Sequence, residues 1–520
     1  MVEAGECAPL APMAARDSPK SRTGLESQVV LGQEGRHEER VIRRARVRAL
    51  ALVLGGSAMM APGAFGSGPA TDRVVRPPAL AGSWYPSSPA VLLATARNFL
   101  RQAARAPRPA GRPVALVVPH AGWAYSGLVA AAAYRLLAPG SFARVVVLAP
   151  SHHGGFAGYA LDESAAWRTP LGEVPIDRAA VEELEVPGLA RVVRGVTGPE
   201  HAVEIEVPFL QATLGRFSLV PVLVGRAEAG EQAAFAERLA RLDDGKTLFV
   251  FSSDFTHYGP RFDYEPFGPT VAARARIRTL DAEAISLLSK LDAGGFRAFL
   301  AKNDATICGR NGLATMLELL ARIAPKARPT LLAHWASGEM PGIRDDSSVD
   351  YAALAFTRDG TATGPALEAP PAIEAVDAAA PPLPERVGQL LVLVARGALE
   401  AELAGDEARL AVALEELDDA PEVSRLQAVF VTLKNTDPLA IARVGALRGC
   451  IGQVVPTYPL DLAVVKSALD AALDDPRFPK VEARELPRLS VEVTVLSPIV
   501  PVSSWKEIRV GTHGIVLEKG

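Results

Sequence analysis

Histidine in this chain is concentrated in four short polar clusters. They are Pro119-His120-Ala121-Gly122, Pro150-Ser151-His152-His153, His201-Ala202-Val203-Glu204 and Ser252-Ser253-Asp254-Phe255-Thr256-His257. Five of the eight histidines, His120, His152, His153, His201 and His257, fall in them. Imidazole at that density suits a transition metal or proton transfer, because its ring nitrogens offer a lone pair or exchange a proton near neutral pH. A single histidine of this kind is as readily a hydrogen-bonded core or turn residue, and it is the four clusters together that argue for a shared site. Asp254 reads equally as an Asx turn at a strand end and as a functional carboxylate.

Two cysteines add to the inventory. Cys308, in Thr306-Ile307-Cys308-Gly309-Arg310, stands just ahead of an apolar helix expected over residues 313–323. A helix N-terminus and Arg310 favour a thiolate there, and a buried inert thiol is the alternative. Cys450 lies between glycines with Arg448 nearby, which fits a nucleophile of lowered pKa or a small residue in a tight buried turn. His513 is the one histidine in that part of the chain.

The elements that must position these residues follow from hydrophobic patterning. Short β-branched runs at 114–118, 145–148, 219–224 and 248–251 alternate with longer amphipathic stretches such as 231–242. That alternation predicts an α/β domain with a mostly parallel sheet and flanking crossover helices. Three of the clusters follow a strand directly, and in a parallel sheet the carboxyl ends of strands share one edge, where ligands bind.

At 520 residues the chain exceeds one hydrophobic core, and a stretch rich in Ala, Pro and Gly near 360–384 reads as a linker. A formal net charge of -4 gives no basic excess to track a phosphate backbone, so nucleic acid is not an expected partner. Cys7, Cys308 and Cys450 lie too far apart for a disulfide framework or a zinc ribbon. Near the N-terminus, Arg43, Arg44, Arg46 and Arg48 precede an apolar run over 49–60, the order of a secretory signal. The run is shorter than the roughly 20 residues a membrane span needs, so no stable membrane span is expected. Two readings stay open: a signal segment over 41–68 with a start near Val41, or a disordered extension. Location is accordingly cytoplasmic or exported.

The motifs carry a resemblance. Ala81-Gly82-Ser83-Trp84-Tyr85-Pro86, the His120-Ala121-Gly122 turn, Pro150-Ser151-His152-His153, Ser252-Ser253-Asp254-Phe255-Thr256-His257, Thr306-Ile307-Cys308-Gly309-Arg310 and Asp346-Ser347-Ser348-Val349 resemble the Memo family in order and spacing. The family is similar to the class III extradiol dioxygenases, which use a non-haem iron. The resemblance implies a metal held by His120, His152 and Cys308, with Asp254, His201 and His257 lining the pocket in catalytic roles. A thiolate in place of the oxygenase carboxylate makes copper a competitor to iron(II), and the ring-cleaving reaction does not carry over with the fold.

The region after the linker resembles the AMMECR family through Phe430-Val431-Thr432-Leu433, Leu447-Arg448-Gly449-Cys450-Ile451-Gly452 and Asp475-Pro476-Arg477-Phe478-Pro479. It is expected to form a smaller α+β domain. It departs from the family at Val429, where a Gly is usual, and in ending at Gly520, which reads as truncation. The expected organisation is an extension over 1–76, a Memo-like domain over 77–358, a linker over 359–384 and an AMMECR-type domain over 385–520. The resemblance further implies a bacterial AmmeMemoRadiSam system with a radical S-adenosylmethionine protein as partner. That partner is not this chain, because three scattered cysteines supply no Cys-x-x-x-Cys-x-x-Cys motif.

The expected function is therefore a mononuclear iron or copper protein with redox or oxygen-linked chemistry, in which His257 or His201 moves protons. No nucleotide cofactor is expected. The alternative is a non-catalytic module that recognises a peptide or small anion in the same pocket.

Overall fold

The computed structural model describes residues 73–339, 346–358, 383–406, 408–417, 420–425, 427–454 and 458–497. The signal-like segment at 41–68, most of the linker and the last residues of the chain lie outside the described residues.

The first region is an α/β layer structure. Its strands in chain order are β1 (Val75–Arg76), β2 (Pro113–Val118), β3 (Arg144–Pro150), β4 (Tyr159–Leu161), β5 (Ala166–Thr169), β6 (Gly172–Pro175), β7 (Ala190–Val192), β8 (Ser218–Val224), β9 (Thr247–Ser252), β10 (His257–Tyr258), β11 (Arg328–Ala336) and β12 (Ser348–Thr357). The main sheet runs β10-β12-β2-β9-β3-β8-β4-β7, with β11 on β12. Its centre, β2-β9-β3-β8, is parallel throughout, and these are the four strands expected from the β-branched runs. The antiparallel pairings of β12 with β2 and of β4 with β8 flank that centre. Strands β2 and β9 are buried at every residue, as expected of parallel strands covered on both faces.

The helices that concern the site are α1 (Pro89–Gln102), α2 (Trp123–Tyr134), α3 (Val207–Leu214), α4 (Ala229–Ala240), α5 (Thr270–Ser289) and α6 (Arg310–Ile323). Helix α1 starts where a stop signal meets a start signal: Ser88 caps the Val91 amide and Pro89 occupies the first turn, where no amide hydrogen is needed. Both faces of α1 are used. Leu92 and Ala96 belong to the core of the first region, and Ala90 and Ala94 to that of the second.

The second region has helices α7 (Glu385–Ala404) and α8 (Leu460–Leu473) packed on an antiparallel sheet of β13 (Val429–Asn435), β14 (Leu447–Gln453) and β15 (Leu489–Val495), in the order β14-β13-β15. Strand β14 runs so close to α8 that a Cβ on Gly449 would lie 2.1 Å from the Ala471 carbonyl oxygen. Only glycine fits there. Asp461 of α8, itself buried, binds Asn98 at 2.9 Å and Arg101 at 2.6 Å, tying α1 to the second region. No helix among the described residues is long and apolar enough to cross a membrane.

Candidate metal centre

The sheet register brings the clusters together. Val118 of β2 is level with Ser252 of β9, and the Ser253 amide donates to the Val118 carbonyl at 2.8 Å, so the two chain ends leave the sheet side by side. His120 follows β2 and His152 follows β3, the other neighbour of β9. His201 arrives from the loop that leads into α3, and Cys308 from the turn just before α6.

One donor atom from each of His120, His152 and His201 lies within 4.8 Å of the others, a spacing that can hold a metal ion. Their ring centroids are 4.2 to 5.5 Å apart. Glu200 orients two of them. Its Oε2 accepts the His152 amide at 2.7 Å, while Oε1 faces the His152 Nδ1 at 3.0 Å and the amides of His201 and Ala202 at 2.9 and 3.0 Å. Burial alone would raise the Glu200 carboxyl, but the His152 ring and these amides outweigh it and hold it at about 2. A carboxylate only accepts, so the His152 proton sits on Nδ1 and the Nε2 lone pair is left for a metal.

His120 is held by a hydroxyl in a similar way. Its Nδ1 is 2.7 Å from Ser252 Oγ, which donates onward to the Ala202 carbonyl at 2.7 Å and lies 3.1 Å from Glu206 Oε1. With its one hydrogen directed to the Ala202 carbonyl or to Glu206 Oε1, Ser252 accepts from Nδ1–H and the His120 lone pair is on Nε2. Burial, then the neighbouring rings of His152, His201 and His257, push His120 well below the ordinary imidazole range. Burial and His152 likewise lower His201, to about 4. Both rings are neutral at pH 7, the form that binds a metal.

Cys308 and Asp254 close one side. Cys308 Sγ is 3.1 Å from His120 Nε2 and accepts the Asp254 amide at 3.1 Å, and Asp254 Oδ1 accepts the His120 amide at 2.7 Å. Burial raises Asp254 to about 7, against the pull of the His120 amide. The thiol differs from its expectation. Burial and then Asp254 push it well above the usual cysteine range, and Arg310 donates to the Ala305 carbonyl at 3.2 Å. In the metal-free chain Cys308 is a thiol. Gly309 must be glycine for the turn to pass, because a Cβ there would meet Ser253 Cβ at 2.4 Å.

His257 sits beside this group with its Nδ1 3.0 and 3.1 Å from the carbonyls of Phe255 and Thr306. Carbonyls only accept, so Nε2 is its basic nitrogen. His153 is exposed, its ring 6.4 Å from that of His201. Cys450 lies elsewhere, on β14, with Sγ 3.2 Å from Thr432 Oγ1 and its amide donating to Asp475 at 2.9 Å. His513 lies outside the described residues.

Sequence reading missed Glu200, Ser252 and Glu206 as the groups that orient the rings. Glu200 was exposed to view by its place beside His201, but a carboxylate next to a histidine is too common to single out. It also assigned no task to Ala81-Gly82-Ser83-Trp84-Tyr85-Pro86. Buried Glu204 anchors that motif by accepting from the Leu80 amide at 2.9 Å, Tyr85 Oη at 2.6 Å and Arg76 at 2.6 Å, which sets the Trp84 ring against that of His201, tilted by 46° with centroids 4.5 Å apart.

Comparison with known proteins agrees with this architecture. The family model described as Memo-like protein matches residues 76–355, and the model described as AMMECR1 matches residues 392–520. Protein MEMO1 of Homo sapiens is 33% identical over 297 residues, which cover 55% of this chain and 99% of that protein. The protein memo-1 homolog of Caenorhabditis elegans is 32% identical over 281 residues, 52% of this chain and 79% of its own. A crystal structure of an uncharacterised protein from Pyrococcus horikoshii aligns at 35% identity over 24% of this chain and 61% of that one, with a TM-score of 0.19.

Proposed function

Because the chain belongs to the Memo-like family, with an AMMECR1-type region behind it, we propose that it binds a single iron or copper ion through His120, His152 and Cys308. The observation that carries this reading is the set of imidazole donors within 4.8 Å of one another, backed by one ionised carboxylate that holds the His152 ring at 3.0 Å and lies 3.3 Å from the His201 Nδ1. Imidazole held by a carboxylate behind it is the arrangement that fixes ring orientation and raises ligand basicity in metal sites. The 3.1 Å between His120 Nε2 and Cys308 Sγ suits two ligands on one ion, given bond lengths of about 2.1 and 2.3 Å. His201 competes with Cys308 for the third position, since it is the residue that completes the group within 4.8 Å.

A bound iron or copper would supply one-electron redox chemistry. Around it, His257 offers a basic Nε2, and Asp254, raised to about 7, holds or releases a proton near neutral pH. Trp84 and the rest of the anchored motif cover one side of the pocket. We assign the protein to a pathway that includes a radical S-adenosylmethionine partner, on the strength of its two-family composition.

The rival reading, a pocket for a peptide or small anion, is disfavoured by charge. His120 and His201 are neutral and Glu200 is ionised, so the pocket repels an anion unless a cation is present. Elemental analysis of anaerobically purified protein, followed by oxygen uptake with the ion present, tests the proposal. Less than a tenth of an iron or copper per chain after reconstitution would sink it.

A further inference from the structure

A second set of donors gathers in the first region, made of residues that take no part in the group above. One ligand atom from each of Asp281, His334 and Asp350 lies within 4.8 Å of the others. Both aspartates are buried, and the His334 side chain is 11% exposed, which leaves a route for an ion. The three come from different elements, Asp281 from α5, His334 from β11 and Asp350 from β12.

The register accounts for the convergence. Strands β11 and β12 are antiparallel with His334 level with Ala352, so Asp350, two residues away, is its diagonal neighbour on the same face. Helix α5 packs on β11 and supplies Asp281. One oxygen of that carboxylate is occupied: Oδ1 accepts Thr256 Oγ1 at 2.6 Å and the Thr256 amide at 3.3 Å. The other, Oδ2, is buried and lies 3.8 Å from His334 Nε2, and the Asp281 carboxyl also meets that of Asp350. Asp350 Oδ2 is 3.7 Å from the same nitrogen. These separations are too long for hydrogen bonds and close to the roughly 3.4 Å that two donors keep when each is about 2.1 Å from one tetrahedral ion. Two carboxyls buried side by side are costly unless a shared proton or a positive charge compensates them, and an ion between the three side chains would take the place of that proton.

We propose that Asp281, His334 and Asp350 form a second metal site, for a divalent first-row cation such as Mn2+ or Zn2+. Two carboxylates and one imidazole, with no sulfur, make a harder donor set than His120, His152 and Cys308, so one chain sorts two kinds of ion. The bound ion clamps α5 to β11 and β12. Through Thr256, and through the paired bonds of Asp350 N to Thr256 O at 3.0 Å and of Phe255 N to Asp350 O at 2.8 Å, it also steadies the loop that carries Asp254 and His257.

The inference is independent of how the first site is used. Full-length protein with His120→Ala and His152→Ala, stripped of metal and shown folded by circular dichroism, is titrated with Mn2+ followed by electron paramagnetic resonance, and separately with Zn2+. One equivalent of either ion per chain with a raised Tm is the expected result, and adding Asp281→Asn should weaken binding at least tenfold. A folded double variant that takes up neither ion overturns the proposal, as does undiminished binding after Asp281→Asn. Crystals of the wild-type chain soaked in Mn2+ decide the matter if that last variant does not fold. An anomalous peak between the three side chains supports the site, and no peak there overturns it.

Discussion

Glu200 grips His152 twice, taking its backbone amide on one carboxylate oxygen at 2.7 Å and its ring Nδ1 on the other at 3.0 Å. The same oxygen that meets the ring also receives the amides of His201 and Ala202, so one buried anion sets the direction of two candidate ligands. Replacing it with Gln removes the charge while keeping the shape. Glu200→Gln should leave the chain folded and lower affinity for iron or copper by roughly 10 to 100-fold. Competition with a calibrated chelator measures this, and unchanged affinity would mean that Glu200 only braces the loop.

The ion itself depends on the two rings common to every reading of the site. His120→Ala with His152→Ala should abolish copper uptake and lower iron content by about one ion per chain relative to wild type, because one remaining ring and a thiol do not make a competent site. Elemental analysis of the purified variant gives the answer, and full iron or copper content would refute the assignment.

His257 is placed to act on protons. Its Nδ1 is committed to two carbonyls, and a metal would have to compete for Nε2 from beside the group rather than within it. His257→Gln should therefore spare metal content while shifting any pH profile of oxygen uptake. Loss of the ion with this substitution would move His257 among the ligands.

Glu206 predicts a pH dependence of stability in the metal-free chain. Burial first, with Asp254 adding, raises its carboxyl to about 8, against the hydrogen bonds of Tyr134 and Ser252. In the unfolded chain the group ionises near 4.5, so between these values the folded state holds a proton that the unfolded state has lost. Its contribution is fully present below about 4.5 and fades as pH rises towards 8, by up to about 1.4 kcal/mol per pH unit. Chemical denaturation at pH 5, 6, 7 and 8 should show Glu206→Gln with a flatter profile than wild type. Parallel profiles would mean that the group is ionised in the fold.

The sheet and the convergence were legible because they follow from period and topology. Four β-branched runs without alternation mark buried parallel strands, and His120, His152 and Asp254 fall one or a few residues past three of them. The antiparallel β11 and β12 were not foreseen, and with them went His334 and Asp350: each lies inside an apolar strand where a polar residue reads as an exception rather than a partner. Cys308 shows the other limit. The sequence places Arg310 two residues away, but which way its side chain turns depends on the Ala305 carbonyl, a contact that spacing does not reveal. Burial then decides the ionisation that charge was expected to decide.

That reversal sharpens the test of Cys308. A thiol pushed up by burial and by Asp254 must lose its proton to bind, so a metal has to supply the stabilisation that neither Arg310 nor the α6 N-terminus gives. The balance favours soft ions, whose bond to sulfur is strongest. Cys308→Ser should cost far more affinity for Cu(I) than for Fe(II), on the order of 100-fold or more against tenfold, since a hydroxyl is a hard and mostly protonated donor. Cys308→Asp restores a carboxylate and should keep Fe(II) while losing copper, provided that the shorter oxygen reaches the ion from a turn already tight at Gly309. His201→Ala is the control for the competing third ligand: it should leave Cu(I) affinity within a few-fold of wild type if sulfur fills that place. Titration of the four proteins with each ion under anaerobic conditions separates the cases. Equal affinities in wild type and both Cys308 variants, with a loss in His201→Ala, would hand the third position to the imidazole.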